Sequence, residues 1–169
     1  MENPDIAAHN AKMELANRLF FLLYQCANML HKTGSRAVEG EGLTTQQWAV
    51  LGALTRPRVA SGMSMGDLAR YLLVSRQNLA GVIGRLERDG RVAIAPDPRD
   101  RRSRLVTLTA QGRDVWQAQA LPKIHAYYEH VLADFSINDT AHTVHYLLKM
   151  LEAMKQLDTG PGDEDGPDA

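Results

Sequence analysis

The stretch SMGDLARYLLVSRQNLAGVIGRLERDG, residues 64–90, constrains the fold of this chain more than any other. It starts two helices in succession. Ser64 can cap the first, with Asp67 at the third helical position, and Ser75 can cap the second. Met65, Leu68 and Leu72 share one face of the first helix. Leu79, Val82, Ile83 and Leu86 form the apolar stripe of the second, and Arg76, Gln77, Arg85 and Arg88 fall off it. Only Leu73 and Val74 separate the two, and Gly90 is a natural stop. Two short helices joined by so tight a turn read as a helix–turn–helix.

The flanking segments say what this motif is built into. Residues 9–36 repeat Leu15, Leu19, Leu22, Leu23, Cys26 and Leu30 at helical spacing, which predicts a long first helix. The sequence GEG (40–42) breaks that pattern, and Thr44 with Gln47 three residues later forms a capping box that opens a helix through Trp48, Leu51 and Leu54. After Gly90 come two short strands, about 91–95 and 104–109, with Val92, Ile94 and Leu105–Leu108 suited to a small antiparallel hairpin. Thr109 begins a further helix carrying Val115, Trp116, Ala120, Ile124 and Tyr127 or Tyr128, with Pro122 expected to kink or interrupt it. Ser136 with Asp139 opens the last helix, whose stripe runs Ile137, Ala141, Val144, Leu148, Leu151 and Met154. The expected fold is mainly α with a small β-hairpin wing, a winged helix–turn–helix.

Charge is distributed to match. The 169-residue chain carries a net charge of −1, yet Arg70–Arg104 holds nine arginines against Glu87, Asp89, Asp97 and Asp100. Residues 158–169, DTGPGDEDGPDA, hold five acids, no base and nothing apolar, and are expected to be a disordered acidic tail. No apolar run is long enough to span a membrane, and no basic start followed by an apolar run suggests secretion. The single cysteine, Cys26, fits a reducing cytoplasm, which is the expected location.

A basic middle in an otherwise acidic protein is the footprint of phosphate binding. In a helix–turn–helix the second helix enters the major groove of double-stranded DNA and its N-terminal residues reach base edges. Here these are Ser75, Arg76, Gln77 and Asn78. Arginine pairs bidentately with guanine, and Gln or Asn with adenine, while serine hydroxyls such as those of Ser64 and Ser75 suit phosphate. Arg85 lies off the apolar stripe of the same helix. The segment joining the two strands, DPRDRRSR (97–104), places Arg99, Arg101 and Arg102 on a ribbon thin enough for a minor groove. Asp97 and Asp100 would be repelled by phosphate and are expected instead to pair with these arginines and fix the loop. Arg104 starts the return strand.

With these motifs in view, the chain resembles the MarR family of transcription factors. The matching pieces are LTTQQWAVLGAL, MGDLARYLLVSRQNLAGVIGRLERDG and DPRDRRSRLVTLTAQG. The most specific marks are Asp97, Arg99, Asp100 and Arg102 in the wing, followed by Leu108, Thr109 and Gly112. The resemblance covers about residues 10–157. It implies a homodimer in which 9–36 and 109–157 form the helical dimerisation region, with 43–108 as the DNA-binding domain. It implies a pseudo-palindromic operator, Arg102 in the minor groove, and Arg99 and Arg101 on phosphates. It also implies a repressor released by a small effector in the crevice between the dimerisation helices and the winged domain. Candidates to line that crevice are Arg18, Phe20, Tyr24, Asn28, His31, Lys32, Arg36 and Trp48, with a core place for Trp48 as the simpler alternative. SRQNLAGVIGRLERDG and FSINDTAHTVHYLLKML resemble the branch that controls breakdown of aromatic acids. The implied effector is an aromatic acid or its CoA thioester, such as p-coumaroyl-CoA or feruloyl-CoA.

Two other modes of regulation fit the same fold. Redox sensing would use Cys26, which lies on the apolar stripe with no adjacent cation and reads as a small buried hydrophobe. Metal sensing would use His142 and His145, or His125 and His130, with no cluster at ligand spacing to complete a site. No nucleophile elbow, phosphate loop or metalloprotease helix is present. No catalytic residue, metal or cofactor is expected.

Overall fold

The computed structural model describes residues 4–59, 61–98, 100 and 103–158. The expected tail beyond Asp158 and the wing residues Arg99, Arg101 and Arg102 lie outside the described residues. Helix α1 runs over Pro4–Ala37, beginning at Pro4 rather than residue 9, with Asp5 in its first turn where the helix dipole favours an acid. A 3-10 turn, Glu39–Glu41, ends at Gly42, whose φ of 62° lies in the left-handed region. Helix α2, Thr45–Leu54, opens with the reciprocal capping box: the Gln47 amide donates to Thr44 Oγ1 at 3.3 Å, and the Thr44 amide donates to Gln47 Oε1 at 2.9 Å.

A second 3-10 turn, Pro57–Val59, leads to strand β1, Met63–Ser64, and then α3, Met65–Leu72, and α4, Arg76–Arg88. Strands β2, Val92–Pro96, and β3, Arg104–Leu108, form the expected hairpin, paired from Val92↔Leu108 to Pro96↔Arg104. The sheet has three strands, not two. Met63 and Ser64 pair antiparallel with Val106 and Leu105, giving the order β1-β3-β2. A two-residue strand is too short to show any alternation, so its sequence carries no signal.

Helix α5, Ala110–Asp114, starts at the Thr109 cap and continues through a π-helical turn, Val115–Ala120, into α6, Leu121–Val131. The kink or interruption expected at Pro122 takes the form of this π-helical turn just before it, without a break in the helical run. The Leu121 amide reaches back five residues to the Trp116 carbonyl. This wider turn leaves room ahead of a residue that has no N–H and crowds the carbonyl four positions earlier. Helix α7, Ile137–Asp158, follows a Ser136 cap in which Ser136 Oγ accepts from the Asp139 amide and donates to Asp139 Oδ2.

The chain divides into two compact units after Tyr127. The first holds one continuous core, in which Leu51, Leu68, Leu79, Ile83, Leu86 and Ile124 are fully buried. The 13-residue α4 is thus fixed by its whole apolar stripe, which leaves its other face to solvent. In the second unit, α7 has no buried residue, and Val144, Leu148 and Met154 of its apolar stripe are exposed. Among the described residues no helix is long and apolar enough to cross a membrane.

Candidate nucleic-acid interface

Among the described residues, the side chains expected at DNA stand on helices that a local cap or the core behind them holds in place. Ser64 Oγ accepts from the Asp67 amide at 3.1 Å and donates to Asp67 Oδ2 at 2.6 Å, so its hydroxyl proton is already used within α3. Arg70 bonds the other oxygen of Asp67. The Ser64 hydrogen bond first, then Arg70, holds the Asp67 carboxyl below the usual carboxylate range.

The turn between α3 and α4 is made by Leu73, the one non-glycine residue with positive φ (55°) among the described residues. This conformation lets the Val74 amide reach the Ala69 carbonyl at 3.1 Å and closes α3. Ser75 Oγ then accepts from the Asn78 amide at 3.2 Å and opens α4. Arg76, Gln77, Asn78 and Arg85 are all exposed on α4. The Arg76 guanidinium lies across Gly66 at the start of α3, where a Cβ would stand 3.3 Å from its Nη2. The exposed end of the second helix therefore presents one fork and two amides side by side, the groups that read guanine and adenine edges.

Gly90, φ 69°, ends α4, with the Arg91 amide donating to the Leu86 carbonyl at 2.8 Å. The wing grows directly from this stop. At its far end the Asp97 amide donates to the Ser103 carbonyl, and the Ser103 amide donates to the Asp100 carbonyl, each at 2.9 Å. Asp97 and Asp100 thus shape the loop through their backbones. The expected pairing of their carboxylates with Arg99, Arg101 and Arg102 lies outside the described residues. At the wing root, Arg91 directs Nη2 to the Glu41 carbonyl at 2.5 Å and Nη1 to the Gly42 carbonyl at 3.0 Å. Nothing in local sequence marks that bond, since fifty positions separate the partners.

The expected effector residues divide into two groups. Arg18, Phe20, Tyr24, Asn28, His31, Lys32 and Arg36 are exposed along α1, whereas Trp48 is buried in the core, edge-on to Tyr127 with ring centroids 6.2 Å apart. A hydroxyl cluster beside Trp48 has no signature in the sequence. Thr33 Oγ1 and Tyr127 Oη are 2.8 Å apart, as are Ser35 Oγ and Thr45 Oγ1. Thr33 and Tyr127 are 94 positions apart, which hides the pairing from any local pattern.

Cys26 is exposed, not buried, because the α1 face that carries it is uncovered in the single chain. His142 and His145 are exposed on α7, and His145 stacks edge-on against Tyr146. Among the described residues no three of His, Cys, Asp and Glu stand together as a metal would require.

A capped helix–turn–helix, an exposed polar helix end and an adjoining two-stranded ribbon define a winged helix–turn–helix nucleic-acid-binding protein. The profile of the MarR family matches residues 41–103. The transcriptional activatory protein BadR of Rhodopseudomonas palustris is 74% identical over 157 residues, spanning 93% of this chain and 90% of that protein. The homoprotocatechuate degradative operon repressor of Escherichia coli is 29% identical over 110 residues, 65% of this chain and 72% of that protein. The crystal structure of CouR from Rhodococcus jostii RHA1 bound to p-coumaroyl-CoA has the same fold, with a TM-score of 0.69 at 22% identity, covering 81% of this chain and 93% of that one. The chain belongs to the MarR family, and it is a DNA-binding transcriptional regulator rather than an enzyme.

Proposed function

We propose that this chain acts in the cytoplasm as a homodimer on a pseudo-palindromic operator, and that an aromatic acid or its CoA thioester sets its affinity for that DNA. The observation that carries the reading is the exposed trio Arg76, Gln77 and Asn78, held at the start of α4 by the Ser75 cap and backed by a buried stripe. In this reading α4 enters the major groove and Arg85 lies along the same helix toward the backbone. Ser75 meets a phosphate, Arg102 enters the minor groove, and Arg99 and Arg101 lie on phosphates; Ser64, whose proton goes to Asp67, caps α3 and has none to donate to DNA.

Dimerisation is supported by apolar side chains with no cover in the single chain, including Leu15, Leu19, Phe20 and Phe21 on α1 and Val144 and Leu148 on α7. Exposed apolar surface on this scale marks an association site. A homodimer spaces two α4 helices one helical turn apart on the operator. The helical dimerisation region is then 9–36 with 109–157, around a DNA-binding domain at 43–108.

An aromatic effector is supported by the names of two relatives, one a homoprotocatechuate operon repressor and the other solved with p-coumaroyl-CoA. Arg18, Lys32 and Arg36 on α1 supply cations suited to the phosphates of a CoA thioester. The direction of control admits two readings. Release of a repressor follows from the family resemblance, whereas the name of the 74% identical relative, a transcriptional activatory protein, favours activation. Gel shifts on the DNA upstream of the chain's own gene, with and without p-coumaroyl-CoA and p-coumarate, test the binding. A reporter assay on the same DNA reads its sign. Salt-insensitive or absent binding to that DNA refutes the reading.

A further inference from the structure

The GEG sequence at 40–42 does more than end the first helical pattern, because cations from two distant parts of the chain close on it. From α6, Lys123 forms an ion pair with the Glu41 carboxylate, and a Cβ at Gly40 would stand 3.2 Å from its Nζ. From the wing root, Arg91 donates Nη2 to the Glu41 carbonyl at 2.5 Å and Nη1 to the Gly42 carbonyl at 3.0 Å. Gly42 adopts φ 62°, and a Cβ there would stand 3.3 Å from the same Nη2. The backbone of Arg91 is tied as well. Its amide donates to the Leu86 carbonyl of α4 at 2.8 Å, and its carbonyl accepts from the Thr109 amide at 3.2 Å. Strands β2 and β3 leave together from this point, with Val92 opposite Leu108.

We propose that Arg91 is a positioning residue for DNA binding: its fork, locked into the 40–42 turn, sets the angle at which the wing leaves the domain. This rests on the reading that Arg102 in the wing meets DNA. The five residues of β2 span about 16 Å at roughly 3.3 Å each. A tilt of about 5° at the root therefore carries the far end of the strand by about 1.4 Å, roughly half the length of a hydrogen bond. A planar guanidinium engaged at both terminal nitrogens resists such a tilt, whereas a lysine ammonium is a point charge and fixes no plane. With Nη1 and Nη2 given to carbonyls of the chain itself, Arg91 acts on DNA through the wing.

Fluorescence anisotropy of the full chain, against a duplex selected from a random-sequence pool and against its scrambled counterpart, tests the assignment alongside thermal melts. Arg91→Met is expected to melt cooperatively and to weaken binding to both duplexes by about tenfold, leaving the ratio between them within about twofold of wild type. In an Arg102→Ala background the same change is expected to cost no more than about a further twofold, because the misplaced wing then has no contact to lose. Gly42→Ala keeps the Arg91 charge but crowds its fork, and is expected to weaken both duplexes alike. Arg91→Lys, which also keeps the charge, serves where either variant does not fold. Wild-type binding by Arg91→Met or by the charge-keeping variant, a lost preference between duplexes, or an undiminished effect in the Arg102→Ala background overturns the assignment. An Arg102→Ala chain that itself binds as wild type removes the wing contact, and the assignment with it.

Discussion

Replacing Gly112 by alanine is expected to break the joint between the wing and α5. A Cβ at this position would lie 1.9 Å from the Arg91 carbonyl oxygen, 2.8 Å from its carbon and 3.2 Å from its Cα. Carbon and oxygen come no closer than about 3.3 Å even in favourable C–H···O contacts, so the two backbones must separate by roughly 1.4 Å. The Arg91 carbonyl has little freedom to retreat, because it accepts from the Thr109 amide at 3.2 Å while the Thr109 hydroxyl donates to the neighbouring Gly90 carbonyl at 2.7 Å. The next residue, Val92, opens the β2–β3 ladder opposite Leu108.

Displacing α5 instead pulls the Gly112 amide away from Thr109 Oγ1, to which it donates at 2.9 Å. Loss of that cap costs about 1 kcal/mol, and forcing a methyl group into a packed site costs about 1–3 kcal/mol more. A total near 3 kcal/mol corresponds to a fall of about 6–12 °C in melting temperature for a chain of this size. Scanning calorimetry reads the difference. Gly84→Ala is the control: a Cβ there meets nothing within 4 Å, and the residue sits inside α4. That change is expected to stabilise by about 0.5–1 kcal/mol. A Gly112→Ala variant that melts within about 2 °C of wild type would refute the close-approach argument.

Leu73→Gly is expected to stabilise by about 1 kcal/mol, since an exposed leucine is held at φ 55° where glycine carries no steric penalty; urea unfolding measures it, and a destabilised variant would contradict the strain. The Glu41 carboxylate, its side chain 7% exposed, forms an ion pair with Lys123, and its Oε2 is buried with no hydrogen-bond partner. Lys123→Met leaves that charge buried without a partner and is expected to cost about 1–2 kcal/mol after allowing for the half-exposed lysine. Adding Glu41→Gln should recover part of this in the same unfolding assay, and no recovery would show that the pair does not carry the effect. Asp67 and Asp139 are held below the usual carboxylate range, Asp67 by Ser64 and then Arg70, Asp139 by Ser136. A depressed folded-state pKa gives stability that is present above the unfolded value and lost as pH falls through the folded one, so melting temperature should drop below about pH 4. Ser136→Ala should flatten part of that drop, and an unchanged pH profile would remove Asp139 from the explanation.

What was legible in the sequence was what depends on near neighbours. Thr44, Ser64, Ser75, Thr109 and Ser136 all cap helices, because a cap is satisfied by an amide three residues on. The Leu79–Leu86 stripe is buried as its spacing requires. The features that local patterns do not reveal depend on distant partners. Strand β1 exists only because Gly62, φ 98°, lets Met63 lie against Val106, and a Cβ there would stand 2.6 Å from Thr107 Cγ2. The Lys123–Glu41 pair joins groups 82 positions apart. Cys26 was expected to be buried and is exposed, because an apolar stripe announces that it will be covered without saying by what. The same ambiguity explains why α1 side chains could be named for an effector crevice that no local pattern delimits, and why Trp48 lies in the core.

The central claim is that the start of α4 reads bases while the wing supplies charge. Fluorescence anisotropy against a duplex selected from a random-sequence pool, and against its scrambled counterpart, across a salt series, tests it most directly. Wild type should prefer the selected duplex by about 10³-fold or more. Arg76→Ala and Gln77→Ala should each remove roughly 1–3 kcal/mol of that preference with little change in salt slope. Arg102→Ala should instead weaken both duplexes and lower the salt slope by about 1 for each phosphate it no longer neutralises. Full discrimination retained in both α4 variants would contradict the claim.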